Sequence, residues 1–350
     1  MAIGCMQVPP RLLWPLAFGA LTMPVALLLN AVALGYWLMR RWPVALLPLA
    51  ALLLTWPHLM RGLALHPLHS LAPAPEATLR VISANVRIFN VYPQLRDPDL
   101  HSTKAMIRYL ADSPADVLCL QEFYSEPHPS QDGTVFNTER QLGRLSGREA
   151  FVSTSLVNRI GAKFGLAIFS RYPILRRGVI RFGALTQNHA MWADVRLPAG
   201  DTLRVFNAHL QSMSMAEQDI VQSYSSKSGF KAKGMGLLRR FKRGFVARSS
   251  QVDTLVHRIE SSPYPVLLCG DLNDLPYSYT YDQLADHLQN AWAAVGTGVG
   301  ASYNGKLPLL RIDNQFISPE WEVLSCRVRR DLPYSDHFPL EAEYRRAQPK

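Results

Sequence analysis

Residues 266–274 have the sequence Val-Leu-Leu-Cys-Gly-Asp-Leu-Asn-Asp, in which an apolar run ends in a glycine and a group of polar side chains. A short apolar run bounded by turn residues is typical of a strand that is buried on both faces. Asp271 and Asn273 then lie at the end of that strand. The same pattern of an apolar run followed by polar residues recurs along most of the chain, so this segment indicates the fold class of the whole.

Further apolar runs predict strands on both sides of this segment. Ser250–Ile259 instead repeats apolar residues at i, i+3, i+4 and i+7, which predicts a helix with one buried face, and Ser102–Ala111 also has a helical pattern. Many short strands with packing helices predict a layered α/β sandwich. The predicted strands are Leu79–Phe89, Val117–Phe123, Leu166–Ser170, Ala190–Leu197, Leu203–Leu210, Val266–Cys269, Ile312–Ile317 and Trp321–Val328.

Polar residues adjoin the predicted strands repeatedly, and strand ends that meet at one sheet edge would gather them in one cleft. Carboxylate oxygens suit Mg²⁺, histidines exchange protons near neutral pH, and carboxamides donate hydrogen bonds to phosphoryl oxygens. This mixture favours hydrolysis of a phosphate ester. Taken singly, such residues are more often turns, caps or partly buried groups, so the six occurrences together carry the prediction. They are Asn85, Gln121-Glu122, Asn207 with His209, Asp271 with Asn273, Asp313 and Ser335-Asp336-His337.

In this order and spacing, the six groups resemble the endonuclease/exonuclease/phosphatase family, which includes deoxyribonucleases, abasic-site endonucleases, inositol polyphosphate 5-phosphatases and neutral sphingomyelinases. Gly270-Asp271-Leu272-Asn273 and Ser335-Asp336-His337 are its moderately specific motifs, and the resemblance extends from about Leu79 to Tyr344. It implies a four-layered α/β sandwich, in which two central mixed sheets are flanked by helices. We therefore expect a catalytic domain over residues 78–346.

The resemblance also implies a metal site and contacts to the substrate. Glu122 would be the principal ligand of a magnesium ion, for which manganese could substitute, and Asn85 and Asp336 would assist it. His209 would contact a phosphoryl oxygen, with Asn207 beside it.

The same resemblance implies the groups that act on water and phosphorus. His337 would act as general base for the attacking water or bind the phosphoryl group, since both roles occur in the family, and Asp313 would orient it. Asp271 would position the water, and Asn273 would stabilise the transition state. One departure is Arg87, which stands where abasic-site nucleases have an acid two residues after the first asparagine. This departure argues against a DNA-repair enzyme and against a second metal ion.

Residues 1–65 predict a membrane anchor. Leu12–Met39 and Trp42–Met60 are apolar, with only two arginines between them, and each exceeds the roughly 18 residues that cross a bilayer core. We therefore expect a hairpin of two transmembrane helices, although a buried helical hairpin of a soluble fold is the alternative. The proline-containing segment 66–77 would link the anchor to the catalytic domain.

The orientation of this hairpin depends on its arginines. Arg40 and Arg41 at the turn would lie in the cytoplasm by the positive-inside rule, with both termini outside. Arg11 and Arg61 at the opposite ends favour the reverse. Of the two orientations we expect the one with an extracytoplasmic catalytic domain.

The net charge of +10 is concentrated in the first 75 residues and in residues 211–248. The rest of the chain is balanced, which argues against a surface built as a whole to bind a polyanion. If Gly234–Val246 is helical, its apolar side chains line one face and its arginines and lysine lie mostly elsewhere. Such a helix could lie on an anionic membrane, or pack on its own domain with its charges in water. The four cysteines form no zinc-ligand pattern.

Together these features predict a membrane-anchored, magnesium-dependent phosphoesterase that hydrolyses a phosphodiester. Its partners would be the lipid bilayer and a phosphate-ester substrate, which we expect to be lipid-linked. The first alternative is a membrane-anchored nuclease, because nucleic-acid phosphates would meet the same basic segment. The second is a non-catalytic membrane scaffold on this fold, against which the full set of motif residues argues.

Overall fold

The apolar runs pair in two mixed β-sheets of six strands each in the computed structural model of the chain. Residues 2–66, 78–127, 135–183, 186–212, 230–307 and 309–347 are described. The strands are β1 (Ala64–Leu65), β2 (Leu79–Asn85), β3 (Val117–Ser125), β4 (Glu149–Val157), β5 (Lys163–Ser170), β6 (Ile174–Arg181), β7 (His189–Arg196), β8 (Thr202–His209), β9 (Val266–Asp271), β10 (Gln289–Asn290), β11 (Thr297–Gly298), β12 (Asp313–Ile317), β13 (Trp321–Val328) and β14 (Leu340–Arg346).

The strand order is β13-β14-β2-β3-β5-β4 in the first sheet and β10-β12-β9-β8-β7-β6 in the second, while β1 pairs with β11. Each large sheet contains one parallel pair, β2 with β3 and β8 with β9. The other pairs are antiparallel. Because β2 and β3 are parallel, their carboxyl ends lie at the same edge of the first sheet. The parallel strands β8 and β9 likewise end at one edge of the second sheet.

Ten α-helices are present in the described part of the chain. They are α1 (Ala2–Gln7), α2 (Pro10–Leu13), α3 (Phe18–Arg40), α4 (Leu46–Leu54), α5 (Trp56–Gly62), α6 (His101–Asp112), α7 (Thr138–Leu142), α8 (Phe230–Glu260), α9 (Tyr279–Ala285) and α10 (Ala291–Val295). Short 3₁₀ helices cover Trp14–Ala17, Trp42–Ala45, Arg87–Asn90, Pro93–Leu95, Pro98–Leu100 and Arg144–Ser146.

Three apolar cores separate four layers. One core lies between the two sheets and includes Cys119 and Cys269, which behave as small buried apolar residues. A second packs α6 and α7 on the outer face of the first sheet, and a third packs α8 and α9 on the outer face of the second sheet. The predicted fold class, two mixed sheets flanked by helices, is therefore confirmed.

Most predicted strands are present within a few residues of their predicted bounds. The predicted strand Leu79–Phe89 is shorter than expected and ends at Asn85, because residues 87–90 adopt positive φ angles of 45–52° that no strand allows. Three longer strands were not predicted. Two of them, β4 and β6, are edge strands with several exposed side chains and little apolar content to mark them, and the third, β14, is a strand inside the first sheet with charged residues at every second position.

The N-terminal region contains one helix that is long and apolar enough to cross a membrane. It spans Pro10–Arg40, with a hydropathy of 2.0, and only 28% of its most apolar stretch is buried. The predicted second span is a pair, Trp42–Leu54 and Trp56–Gly62, bent by 60°. The bend lies just before Pro57, which has no backbone N–H to continue the first helix. The described residues thus offer one apolar span, or two if the bent pair crosses as a unit.

The segment predicted to link anchor and catalytic domain lies, apart from His66, outside the described residues. Just before it, β1 pairs with β11, so the segment predicted as anchor ends inside the folded domain. Gly234–Val246 is helical and forms part of the longer helix α8. Phe245 is buried there, while Arg239, Arg243 and Lys242 are exposed.

Candidate active site

Three neighbouring strands of the second sheet end at the same edge and carry the first half of the candidate site. In the register of β8, β9 and β12, Asp271 pairs with His209 on one side and with Asp313 on the other. Gly270 makes this possible, because a side chain at that position would overlap the backbone carbonyl of Ala208. Three functional groups therefore stand side by side on adjacent strands.

The first sheet contributes Asn85 from the end of β2 and Glu122 from within β3. A β-bulge between Leu120 and Phe123 places an extra residue in β3, and Glu122 there has a φ of 48°. The Asn85 carboxamide lies between the sheets, with Nδ2 3.1 Å from both Glu122 Oε1 and Asp271 Oδ2. This one amide therefore joins carboxylates that belong to different sheets.

His337 lies between two buried aspartates. Its Nδ1 donates to Asp313 Oδ2 at 2.9 Å, and its Nε2 is 3.9 Å from Asp271 Oδ2. Ser335 ties the backbone around His337 to the end of β2. Its hydroxyl donates to the Asn85 carbonyl at 2.8 Å and accepts from the His337 amide at 3.2 Å. The pair of Asp313 and His337 is thus held in a defined orientation.

His209 faces the same carboxylates from the other side. Its Nε2 is 3.6 Å from Asp271 Oδ2 and 3.9 Å from Glu122 Oε1. Asp271 therefore lies between two imidazoles and is itself only 1% exposed. Glu122 is more open, with a side chain 38% exposed, and forms the solvent-facing side of the cluster.

The electrostatics of the cluster follow from burial and crowding. Burial raises the pKa of Asp271, and the neighbouring carboxylate of Asp313 raises it further. Burial likewise raises the pKa of Asp336. Burial alone would lower the pKa of His337, but the carboxylates of Asp313, Asp271 and Asp336 outweigh it and raise the pKa to about 10. His337 is therefore an imidazolium at neutral pH when no metal is bound.

The remaining predicted residues occupy three different settings. Asn273 has a φ of 51° and donates through Nδ2 to the Leu210 carbonyl at 3.0 Å, beside Asp271. Asp336 forms an ion pair with Arg87 at 3.1 Å. All nine predicted site residues thus lie at or beneath one edge of the two sheets, although Asn207 is fully buried below it.

Asn207 bridges the two sheets beneath the site. Its Nδ2 donates to the carbonyls of Leu120 and Ala167, both at 2.9 Å, and its Oδ1 accepts from Gln121 Nε2 at 2.7 Å. Since both amide hydrogens are used by the protein, Asn207 holds the sheets at a fixed separation below His209.

The sequence analysis missed the segment 302–304, which supports the site from outside. The Ser302 hydroxyl accepts from the backbone amides of Ile312 and Asp313 at 3.1 and 3.0 Å. The Tyr303 ring meets the His337 ring edge-on at 5.3 Å. Nothing in the local sequence could have marked these residues, because Ser-Tyr-Asn after a glycine-rich stretch is ordinary loop composition.

A family model described as the endonuclease/exonuclease/phosphatase family matches residues 82–337, which include the whole cluster. The chain belongs to this family. Its members are hydrolases that act on phosphoester bonds. A second family model, a domain of unknown function, matches residues 1–62. No curated protein matches the chain.

Solved structures of family members share the fold at low sequence identity. An endonuclease/exonuclease/phosphatase from Beutenbergia cavernae is 18% identical, with a TM-score of 0.55 over 77% of this chain and 72% of that one. One from Bacteroides vulgatus is 15% identical, with a TM-score of 0.54 over 78% of this chain and all of that one. The catalytic domain of human nocturnin, solved with a bound sulfate, is 17% identical, with a TM-score of 0.54 over 77% and 95%.

For this family member the raised pKa of His337 gives a testable prediction. In metal-free protein, NMR titration of the histidine C–H resonances should show one imidazole that stays protonated until about pH 10. Asp313→Asn should lower that pKa by removing the nearest negative charge. Because folding raises this pKa above 6.5, protonated His337 stabilises the fold below about pH 6.5, and this contribution is lost as pH rises through 10. A pKa of His337 near 6.5 in both proteins would contradict the assignment.

Proposed function

We propose that the chain is a magnesium-dependent phosphodiesterase that hydrolyses lipid-linked phosphodiesters at a membrane surface. The observation that carries the proposal is the convergence of Glu122, Asp271 and His337 on one sheet edge from separate strands and loops. Four carboxylates, two imidazoles and the carboxamides of Asn85 and Asn273 lie in one cluster, and this set suits a phosphate ester and a cation.

The residues present fit a magnesium ion. Glu122 and Asp271 offer carboxylate oxygens, which are the donors that magnesium prefers. The Asn85 amide nitrogen donates to both carboxylates and its oxygen accepts from the Arg87 backbone amide, so Asn85 would offer its oxygen to the ion after its carboxamide turns over. Asp336 lies nearby, but its negative charge is already compensated by an ion pair with Arg87. We assign Glu122 as the principal ligand, with Asn85 and Asp336 assisting, and manganese as a substitute.

Asp271, Asp313 and His337 also bring ligand atoms within 4.8 Å of one another. We assign this trio to proton handling instead, because His337 Nδ1 is already bonded to Asp313 and imidazole is not a preferred magnesium ligand. A bound magnesium ion would supply positive charge to the phosphoryl oxygens.

The protein groups then divide the chemistry between them. Asp271, with its raised pKa, positions the attacking water and accepts its proton. As the water oxygen bonds to phosphorus, the ester P–O bond to the leaving group breaks, and the leaving oxygen takes up a proton from water. Of the two roles open to His337, its raised pKa favours donation from Nε2 to a phosphoryl oxygen, while Asp313 holds the ring. His209 provides a second imidazole on the opposite side of Asp271.

Two asparagines complete the assignment. Asn273 uses one amide hydrogen on Leu210, and its second can donate to the phosphoryl group as charge develops. Asn207 acts through position, because both its amide hydrogens bond to the protein.

A membrane-bound substrate is supported by the contacts of helix α8. The Phe18 ring, near the start of the apolar helix Pro10–Arg40, packs on Phe241 and Phe245 of α8 at 5.2 and 5.4 Å. The exposed basic residues of α8 therefore stand beside the membrane-spanning candidate, where anionic lipid head groups would lie. The same charges suit nucleic-acid phosphates, so a membrane-anchored nuclease is the second candidate.

A substrate panel separates these candidates. The full chain in detergent or proteoliposomes, with magnesium, should release phosphorylated head groups from mixed phospholipid vesicles and leave plasmid DNA and RNA intact. Cleavage of nucleic acid without lipid turnover would establish the nuclease instead. No turnover of any phosphodiester, together with no magnesium binding by calorimetry, would indicate the non-catalytic scaffold.

Two substitutions test the assigned roles. Glu122→Ala should raise the magnesium concentration needed for half-maximal activity sharply, because the principal carboxylate is lost. His337→Ala should lower kcat by at least about 10²-fold, the usual contribution of a group that transfers a proton. Exposed Glu320→Ala and His287→Ala, which are distant from the cluster, serve as matched controls. An unchanged magnesium titration in Glu122→Ala would remove Glu122 from the metal site.

We also propose that the catalytic domain is extracytoplasmic. Arg40 and Arg41 are exposed at the turn of the hairpin, while Arg11 and Arg61 form ion pairs with Asp253 and Asp282 of the folded domain. Of these four arginines in the described part of the chain, the two that form no ion pair are thus those at the turn, and such charges favour the cytoplasm.

Cysteine labelling tests this orientation. The four native cysteines are buried, so the unchanged chain supplies a low background. Exposed Ser261→Cys should react with a membrane-impermeant maleimide in intact spheroplasts. Labelling of Ser261→Cys only after permeabilisation would place the domain in the cytoplasm.

A further inference from the structure

The loop that follows the catalytic segment is packed against the N-terminal helices. Tyr277 lies four residues after Asn273, between β9 and α9, and is only 6% exposed. Its backbone carbonyl accepts a hydrogen bond from the Cys5 thiol at 3.5 Å. The side chains packed in one cluster with Tyr277 come from α1, α3, α4 and α5: Cys5, Met6, Ala20, Met23, Leu27, Leu52 and Leu59.

Gly62 shows how closely this packing is fitted. It ends α5, and a side-chain carbon at this position would overlap the hydroxyl and ring of Tyr277. A buried aromatic ring cannot move aside as the end of a flexible side chain can. The last residue of the helical segment is therefore a glycine because Tyr277 occupies the space.

A second contact joins the end of the N-terminal helices to the residues just before β12, the strand that begins with Asp313. Arg311 is 1% exposed and lies two residues before Asp313. Its guanidinium donates to the backbone carbonyl of Arg61 and to that of Val299. Arg61 itself pairs with Asp282 of α9, the helix that begins just after Tyr277. Arg61, near the end of α5, is thus bonded both to the residues that lead into Asp313 and to α9, the helix that follows the loop containing Asn273.

The backbone conformation of Asn273 has to be held in place by packing around its loop. Its φ of 51° is a conformation that a non-glycine residue keeps only when its surroundings enforce it. On the side of α8, Arg248 holds the next residue, since its Nε donates to Asp274 Oδ2 at 3.0 Å. Further along the same loop, the next point of support is Tyr277, which is held by the helices around it.

We propose that the N-terminal helices are part of the catalytic apparatus, with Tyr277 as the positioning residue through which they hold Asn273 in place. The helical segment then serves catalysis as well as attachment. A misplacement of about 1 Å at a reacting group can cost about 10²-fold in rate, so loosening of this loop has a measurable effect. The proposal rests on the phosphoesterase function assigned above.

The test uses the full chain purified in detergent. In Tyr277→Ala, deuterium exchange of peptides covering residues 272–278 should increase, and kcat on bis(4-nitrophenyl) phosphate with magnesium should fall about 10- to 100-fold with KM little changed. Tyr277→Phe keeps the ring and should resemble the unchanged chain. Leu47→Ala, which removes a side chain of α4 that is 74% exposed, is the matched control for the helical segment.

Gly62→Ala disturbs the contact between Gly62 and Tyr277 by a change in α5. It provides an independent test if Tyr277→Ala does not fold. It should increase exchange of residues 272–278 and lower kcat, although Gly62 itself is remote in sequence from them. Unchanged exchange and unchanged kcat in a folded Tyr277→Ala or Gly62→Ala would overturn the proposal. If the unchanged chain hydrolyses no phosphodiester, the phosphoesterase assignment fails, while the exchange comparison still decides whether the helices hold the loop.

Discussion

One carboxamide between two carboxylates is the interaction on which the site depends. Asn85 donates to Glu122 of its own sheet and to Asp271 of the facing sheet, so it fixes the distance between acidic groups that would otherwise repel each other. Buried carboxylates of this density are costly without compensating charge. The imidazolium of His337, which lies between Asp313 and Asp271, supplies part of that charge.

The backbone is irregular where the chemistry is. Glu122 and Asn273 both have left-handed φ angles, and Glu122 also sits in a β-bulge that turns it out of its strand. Such conformations persist only where the surrounding structure enforces them. Here the enforcement comes from regular parts of the fold: the Asn207 bridge between the sheets, Arg248 on α8, and the Tyr277 cluster on the N-terminal helices.

The N-terminal helices and the catalytic domain share one apolar cluster and several polar contacts. A simple tether would need only a flexible connection. Instead, ion pairs of Arg11 and Arg61, the pairing of β1 with β11 and the Tyr277 cluster join the two parts. This arrangement keeps the basic residues of α8 next to the start of the apolar helix.

The layered α/β fold, the order of the motif residues and the apolar N-terminal region could be predicted from sequence alone, because periodicity and strand-end polarity are local properties. The strands β4, β6 and β14 could not, since their exposed or charged faces carry little apolar signal, and neither could the inward-turned amide of Asn207 or the pairing of Arg87 with Asp336. These features and the contact between Gly62 and Tyr277 depend on the three-dimensional fold, because packing across more than two hundred residues has no counterpart in a local pattern.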